Sequence, residues 1–188
     1  MVTIIPNTVI PAITVPTKDP AQDPFLIFFT NDNHRNTVQN VFRDMASGAT
    51  KTQSGSTIKP PSFVCINDQS GPYIKEAVAF CKGRTDGVAF SFNGDVWLCP
   101  KFFTDEKPFP DQNTNCPTVN VTKNSAIFSD HRNITESQFA IIIHELAHIY
   151  APHPVFGLDE LYDINFVCYS QPDFQLNNPN NYGFYAIL

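Results

Sequence analysis

The sequence has no long apolar run and little basic charge. No stretch approaches the roughly 20 apolar residues of a membrane-spanning helix, and Met1 is not followed by the basic and apolar regions of a signal peptide. Because no apolar run is long enough, we expect no membrane partner. Because no signal peptide follows Met1, we expect the sequence to be a mature form or an expression form. The 12 basic residues are outnumbered by 18 acidic ones, giving a net charge of −6. This charge argues against a nucleic-acid partner and mildly favours cationic substrates.

Closely spaced cysteine pairs are also absent. The cysteines are at positions 65, 81, 99, 116 and 168, so no pair has the Cys-x-x-Cys spacing of a zinc knuckle. Their number and spacing favour disulfides and an oxidising compartment. Two glycosylation sequons, Asn120-Val121-Thr122 and Asn133-Ile134-Thr135, indicate the same location. We expect a secreted, extracellular protein.

The length and composition suit one globular domain. The chain has 188 residues, of which 42% are hydrophobic and 17 are Phe. Residues 1–24 carry prolines at 6, 11, 16, 20 and 24 and are expected to form an extended arm, and residues 25–188 the domain. Within the domain we predict a strand over 25–30 and a helix that Asn31 or Asp32 caps, with Val38 to Met45 on its apolar face.

Two further elements follow in the middle of the chain. A helix is predicted over Pro72–Cys81. Apolar residues then alternate over 88–92 and again over 96–98, on either side of Asn93-Gly94. Asn-Gly between two alternating segments is a strong signal for a β-hairpin. The segment 101–132 is rich in proline and asparagine and gives no clear pattern.

The most informative feature is the pentapeptide His144-Glu145-Leu146-Ala147-His148, which follows the apolar run 139–143. Residues four apart lie on one face of an α-helix, so the two imidazoles can bind one zinc ion. Glu145 then lies next to the metal, where it can act on a bound water. Charged and imidazole side chains are costly in a buried helix unless they are paired or bind metal.

The helix that carries this pentapeptide has predictable ends. Thr135 is the expected N-cap, with Gln138 three residues later forming a capping box. The helix should end near Tyr150, because Pro152 cannot continue it and disfavours helical geometry at Ala151. Apolar residues at helical spacing predict that most of the helix is buried.

A catalytic zinc needs a third protein ligand if one position is to stay open for water. The downstream candidates are His153, Asp159, Glu160 and Asp163. His153 comes too early for the metzincin spacing, and a thermolysin-like glutamate would lie on a separate later helix, whereas Glu160 is predicted in a loop. The two aspartates remain.

Three segments carry a family resemblance. The segment 156–163, Phe-Gly-Leu-Asp-Glu-Leu-Tyr-Asp, keeps an Asp-x-x-Tyr core at Asp159 and Tyr162. The segment 96–103 looks like an apolar strand that ends in Leu-Cys-Pro before an aromatic pair. The segment 177–186 is similar to a C-terminal helix of the type Asn-Ala-Asp-x-Tyr. Over about residues 31–188 the sequence resembles the aspzincins, the fungal deuterolysins and lysine-specific metalloendopeptidases. It departs from their pattern Gly-Thr-x-Asp-x-x-Tyr-Gly in lacking the Gly-Thr pair and the last glycine.

The resemblance implies a fold and a mechanism. The fold is an α+β, zincin-like single domain in which the active-site helix packs on other helices and a small antiparallel sheet or hairpin covers the cleft. The activity is zinc-dependent endopeptidase hydrolysis, with one Zn²⁺ per chain bound by His144, His148 and Asp159. Glu145 is the implied general base for a zinc-activated water, and Tyr162 the implied hydrogen-bond donor to the oxyanion.

The resemblance also implies disulfides, Cys81 to Cys99 and more weakly Cys116 to Cys168, with Cys65 left over. A pairing of Cys65 with Cys81 remains open. We expect a peptide or protein substrate and a monomer. Two alternatives to a peptidase are a secreted zinc-binding relative without proteolysis and a zinc enzyme that acts on a small molecule. The intact Glu145 favours an enzyme.

Overall fold

The computed structural model describes residues 23–49, 51–53, 56–58, 60–66, 72–83, 87–104, 137–155 and 159–186. Apart from residues 23 and 24, the predicted N-terminal arm lies outside these ranges, and so do both sequons. The described residues form a mixture of helices and small sheets, and none of the helices among them is long and apolar enough to cross a membrane.

The helices of the described ranges are α1 Pro24–Phe28, α2 Arg35–Ser47, α3 Pro72–Gly83, α4 Pro100–Thr104, α5 Gln138–Tyr150, α6 Ile164–Tyr169, α7 Pro172–Gln175 and α8 Pro179–Tyr185, with a short 3₁₀ turn at Asp32–His34. The strands are β1 Lys51–Gln53, β2 Ser56–Ile58, β3 Phe63–Cys65, β4 Ala89–Phe92 and β5 Asp95–Leu98.

The larger sheet has the strand order β3-β5-β4. β5 runs parallel to β3 and antiparallel to β4. The predicted hairpin is confirmed: β4 and β5 are joined by Asn93 and Gly94, whose φ angles are 52° and 78°. Positive φ at both central residues is the conformation that an Asn-Gly hairpin turn requires. In the strand order β3-β5-β4, strand β4 lies at one edge of this sheet.

The segment predicted as a strand over 25–30 is helical through Phe28, so that prediction is wrong. Asp23 caps α1 by accepting a hydrogen bond of 3.0 Å from the N–H of Phe25, and Pro24 occupies the first turn. A helix of five residues is unstable alone. Phe25, Phe28 and Phe29 are fully buried, and burial of each side chain contributes about 2 kcal/mol. Tertiary packing therefore decides the conformation.

Helix α5 forms the centre of the main core. Its N-cap is Ser137, which accepts a hydrogen bond of 3.1 Å from the N–H of Ala140, and not Thr135 as predicted. It ends at Tyr150, and Ala151 is extended, as the following proline predicts. Its buried side chains pack with residues of α1, α2 and α8, among them Val38, Val41, Phe42, Met45, Tyr182 and Phe184.

One of the two expected disulfides is present. Cys81 at the end of α3 is bonded to Cys99, next to β5, as the resemblance implies. Cys65 is an exposed thiol and Cys168 a buried one. The expected bridge from Cys116 to Cys168 is therefore not supported, and Cys116 itself lies outside the described residues.

Candidate metal centre

Helix α5 presents its two histidines side by side. The ring centroids of His144 and His148 are 4.9 Å apart, and the rings are nearly perpendicular. The possible ligand atoms of His144, Glu145 and His148 all lie within 4.8 Å of one another. Because the spacing of four residues places both imidazoles on one helical face, the geometry follows directly from the sequence.

A carboxylate from a separate part of the chain faces the two rings. The Oε1 atom of Glu160 lies 3.3 Å from Nε2 of His144 and 3.5 Å from Nε2 of His148. The side chain of Glu160 is 3% exposed. Asp159, the ligand implied by the resemblance, is exposed. The structure thus brings together His144, Glu145, His148 and Glu160.

Burial keeps both imidazoles neutral. It lowers the pKa of His144 to about 4, against the opposing effect of a hydrogen bond with Asn180. It lowers the pKa of His148 to about 3, helped by the nearby His144 and opposed by the backbone of Val155. A neutral imidazole has a nitrogen lone pair available for a metal, so no proton has to be displaced at pH 7.

Glu145 has the opposite shift. Burial, and then the charge of Glu160, raise its pKa to about 8, and hydrogen bonds from the side chain and backbone of Ser91 act in the other direction. Ser91 pairs with Val96 in the hairpin. In a hairpin with a two-residue turn this is a non-hydrogen-bonded pair, so the N–H of Ser91 is directed away from β5 and is available to Glu145. The carboxyl group is therefore held between α5 and the edge strand β4.

Tyr162 lies at the open side of the cluster. Its hydroxyl donates a hydrogen bond of 2.9 Å to Oε2 of Glu160, and its ring centroid is 6.2 Å from that of His144. The side chain is 56% exposed, so it is accessible from solvent. Tyr162, the oxyanion donor that the resemblance implies, thus lies beside His144, and its observed hydrogen-bond partner is a carboxylate.

Helix α8 supplies a contact that the sequence alone did not reveal. Oδ1 of Asn180 is 3.0 Å from Nδ1 of His144, on the side of the ring away from Glu160. Asn180 is 8% exposed. The only sequence signal for it was the cluster of asparagines between 177 and 181, and for Ser91 there was none.

The donor set fits a metal cation. The possible ligand atoms of His144, Glu145 and His148 lie within 4.8 Å of one another, and Oε1 of Glu160 lies within 3.5 Å of both imidazoles. Oε2 of Glu145 is buried without a hydrogen-bond partner among the described residues. Buried acceptor atoms facing one another are costly unless a cation lies between them. Two imidazoles and a carboxylate are a common zinc ligand set.

Comparisons with known proteins support the fold. No model of a known protein family matches the sequence, and no curated protein does so. Among solved structures, the chain is similar to a zinc peptidase from Grifola frondosa, with a TM-score of 0.55 and 15% sequence identity. The similarity covers 98% of this chain and 86% of that one. The chain therefore has the mixed helix and small-sheet fold of a zinc peptidase.

Proposed function

We propose that the protein is a zinc-dependent endopeptidase that binds one zinc ion through His144, His148 and Glu160. The observation that carries the proposal is the pair of neutral imidazoles on α5 with the buried carboxylate of Glu160 within 3.5 Å of both. The similarity of the whole chain to a zinc peptidase makes peptide hydrolysis the favoured chemistry for this group.

The choice of Glu160 over Asp159 follows from their burial. Of these two adjacent side chains only one is buried. The side chain of Glu160 is buried against both histidines, whereas Asp159 is exposed. Tyr162 donates a hydrogen bond to the carboxylate of Glu160. In this chain the third ligand is therefore displaced by one residue from the aspartate that the resemblance implies.

The residues around the proposed metal centre have different chemical roles. A bound zinc ion supplies a Lewis acid that activates water and polarises a carbonyl group. Glu145 accepts a proton from the attacking water and delivers it to the departing amine. Burial holds the pKa of Glu145 at about 8 in the metal-free protein, and a nearby cation lowers it, so the carboxylate form is available at neutral pH. Tyr162, at the open side, donates its hydroxyl proton to Glu160 in the free protein and turns it to the developing oxyanion during the reaction.

The substrate proposed for this centre is an extended peptide. β4 borders the sheet, and its Ser91 contacts Glu145, so a peptide that pairs with the edge of β4 runs past the catalytic carboxylate. Addition of a peptide strand to an exposed sheet edge is a common mode of peptide recognition. We propose secretion for the same protein, which the disulfide between Cys81 and Cys99 supports because such bonds persist in oxidising compartments.

The variant Glu145→Gln tests the chemistry. It keeps the size of the side chain and the helix, so zinc should still bind, while hydrolysis of casein or of basic proteins should fall by about 10²-fold or more. Retained turnover in the zinc-loaded variant would rule out Glu145 as the base. A zinc-loaded wild-type protein that cleaves none of these substrates would instead favour a role without proteolysis.

A matched pair of variants tests the ligand assignment. Glu160→Gln and Asp159→Asn each remove one negative charge from adjacent residues with little change in size. We expect Glu160→Gln to weaken zinc binding strongly, measured by competition with a chelator, and Asp159→Asn to leave it nearly unchanged. The reverse result would assign the ligand to Asp159.

A further inference from the structure

We infer that Asn180 on α8 is a positioning residue of the metal centre, which holds the ring of His144 and the backbone next to Glu160 in one arrangement. The inference rests on the proposed zinc site. It concerns the C-terminal helix, which contributes none of the proposed ligands.

The hydrogen bonds of Asn180 fix the orientation of its amide. Its Nδ2 atom donates a bond of 2.9 Å to the carbonyl oxygen of Leu161. Since a carbonyl can only accept, the amide nitrogen must face Leu161, and Oδ1 must face the ring of His144. The distance from Oδ1 to Nδ1 of His144 is 3.0 Å.

This orientation selects one tautomer of His144. Because Oδ1 of Asn180 can only accept, Nδ1 of His144 carries the proton and donates it. The other ring nitrogen, Nε2, is then the unprotonated atom that faces Glu160 at 3.3 Å. A hydrogen bond to the remote nitrogen of a metal-binding histidine fixes its ring and its tautomer, and removal of such a partner typically costs 10–100-fold in metal affinity.

The same helix holds the segment that carries the carboxylate. Asn178 accepts a bond of 3.2 Å from the N–H of Leu161 and donates one of 3.3 Å to its carbonyl oxygen. Together with the bond from Asn180, both polar backbone groups of Leu161 are satisfied by α8 and its N-cap. Glu160, which directly precedes Leu161, is therefore held at a defined distance from His144.

Close packing brings α8 within reach of the ring. Gly183 lies one turn after Asn180, and a Cβ atom at this position would be 3.1 Å from the carbonyl oxygen of Ala140 on α5. The absence of a side chain thus permits the close approach of the two helices. Asn181 anchors the helix on its other side, by donating a bond of 2.6 Å to the carbonyl oxygen of Phe28.

The experiment compares variants of Asn180 with a matched control. Asn180→Ala removes both hydrogen bonds, and its zinc affinity, measured by chelator competition, should be about 10–100-fold lower than that of the wild type. Asn180→Asp keeps an acceptor for Nδ1 of His144, so it should bind zinc more tightly than Asn180→Ala. Asn177→Ala removes bonds of 3.0 Å and 2.9 Å to the backbone of His153 and Asp173, outside the metal centre, and should leave the affinity nearly unchanged.

A second measurement requires no variant. In metal-free wild-type protein, ¹⁵N NMR of labelled histidine should show His144 as the tautomer protonated at Nδ1. The inference is overturned if His144 is protonated at Nε2, or if folded Asn180→Ala binds zinc as tightly as the wild type. Wild-type protein that binds no zinc would refute the proposed function instead, while the tautomer measurement would still test the contact with Asn180.

Discussion

The pKa of Glu145 leads to a quantitative prediction for the metal-free protein. Burial raises this pKa from 4.5 to about 8. In the unfolded chain the carboxyl group has its ordinary pKa, so between about pH 5.5 and pH 7.5 the folded state keeps a proton that the unfolded state has released. A raised pKa in the folded state stabilises the protein at low pH, and this contribution is lost as the pH rises toward 8.

The size of the loss follows from the linkage relation. Each pH unit in this window changes the free energy of unfolding by about 1.4 kcal/mol, so wild-type protein loses about 2 to 3 kcal/mol over two units through this one group. Glu145→Gln has no such group. The stability of the variant relative to the wild type should therefore rise by the same amount between the two pH values.

Urea unfolding of both proteins in the presence of a chelator measures this difference. The comparison between variant and wild type removes the contributions of titrating residues that do not interact with Glu145. A difference in unfolding free energy that stays constant over the window would refute the conclusion that Glu145 is buried with a raised pKa. With zinc bound, the pH dependence of the difference should largely disappear, because a nearby cation favours the carboxylate.

Two further predictions concern residues outside the helix. The disulfide between Cys81 and Cys99 closes a loop with a sequence separation of 18, so its reduction should destabilise the protein by about 3 kcal/mol. Calorimetry should show a lower melting temperature for the reduced protein. An unchanged melting temperature would contradict this prediction. Tyr162→Phe removes the hydrogen bond to Glu160 and the proposed oxyanion donor. The kcat should therefore fall by about 10-fold or more while the fold stays intact. An unchanged kcat would exclude the catalytic role.

The sequence predicted the elements whose signals are local. Alternation around Asn93-Gly94 defined the hairpin, and the spacing of four residues between His144 and His148 placed both rings on one helical face. The predicted end of α5 at Tyr150 is also correct, since the following proline acts on its immediate neighbour. In each case the residues that decide the structure are only a few positions apart.

The parts that were not predicted depend on distant contacts. Helix α1 is stabilised by the burial of its phenylalanines against α8, where Phe25 contacts Tyr185 and Phe28 contacts Phe184. No local pattern in residues 25–30 indicates this packing. The burial of Glu160, and not Asp159, against the histidines depends on the path of the backbone, and Asn178 and Asn180 fix that path from almost 20 residues away. The resemblance implied Asp159, and motif spacing contains no information about which side chain faces the histidines.

The identity of the zinc ligands decides whether His144, His148 and Glu160 form the metal centre. The most direct measurement is a crystal structure of the zinc-loaded protein with anomalous data at the zinc edge. We expect one zinc ion per chain, bonded at about 2.0–2.2 Å to Nε2 of His144, Nε2 of His148 and the carboxylate of Glu160. An anomalous peak coordinated by Asp159 instead of Glu160, or the absence of any peak at these histidines, would contradict the claim.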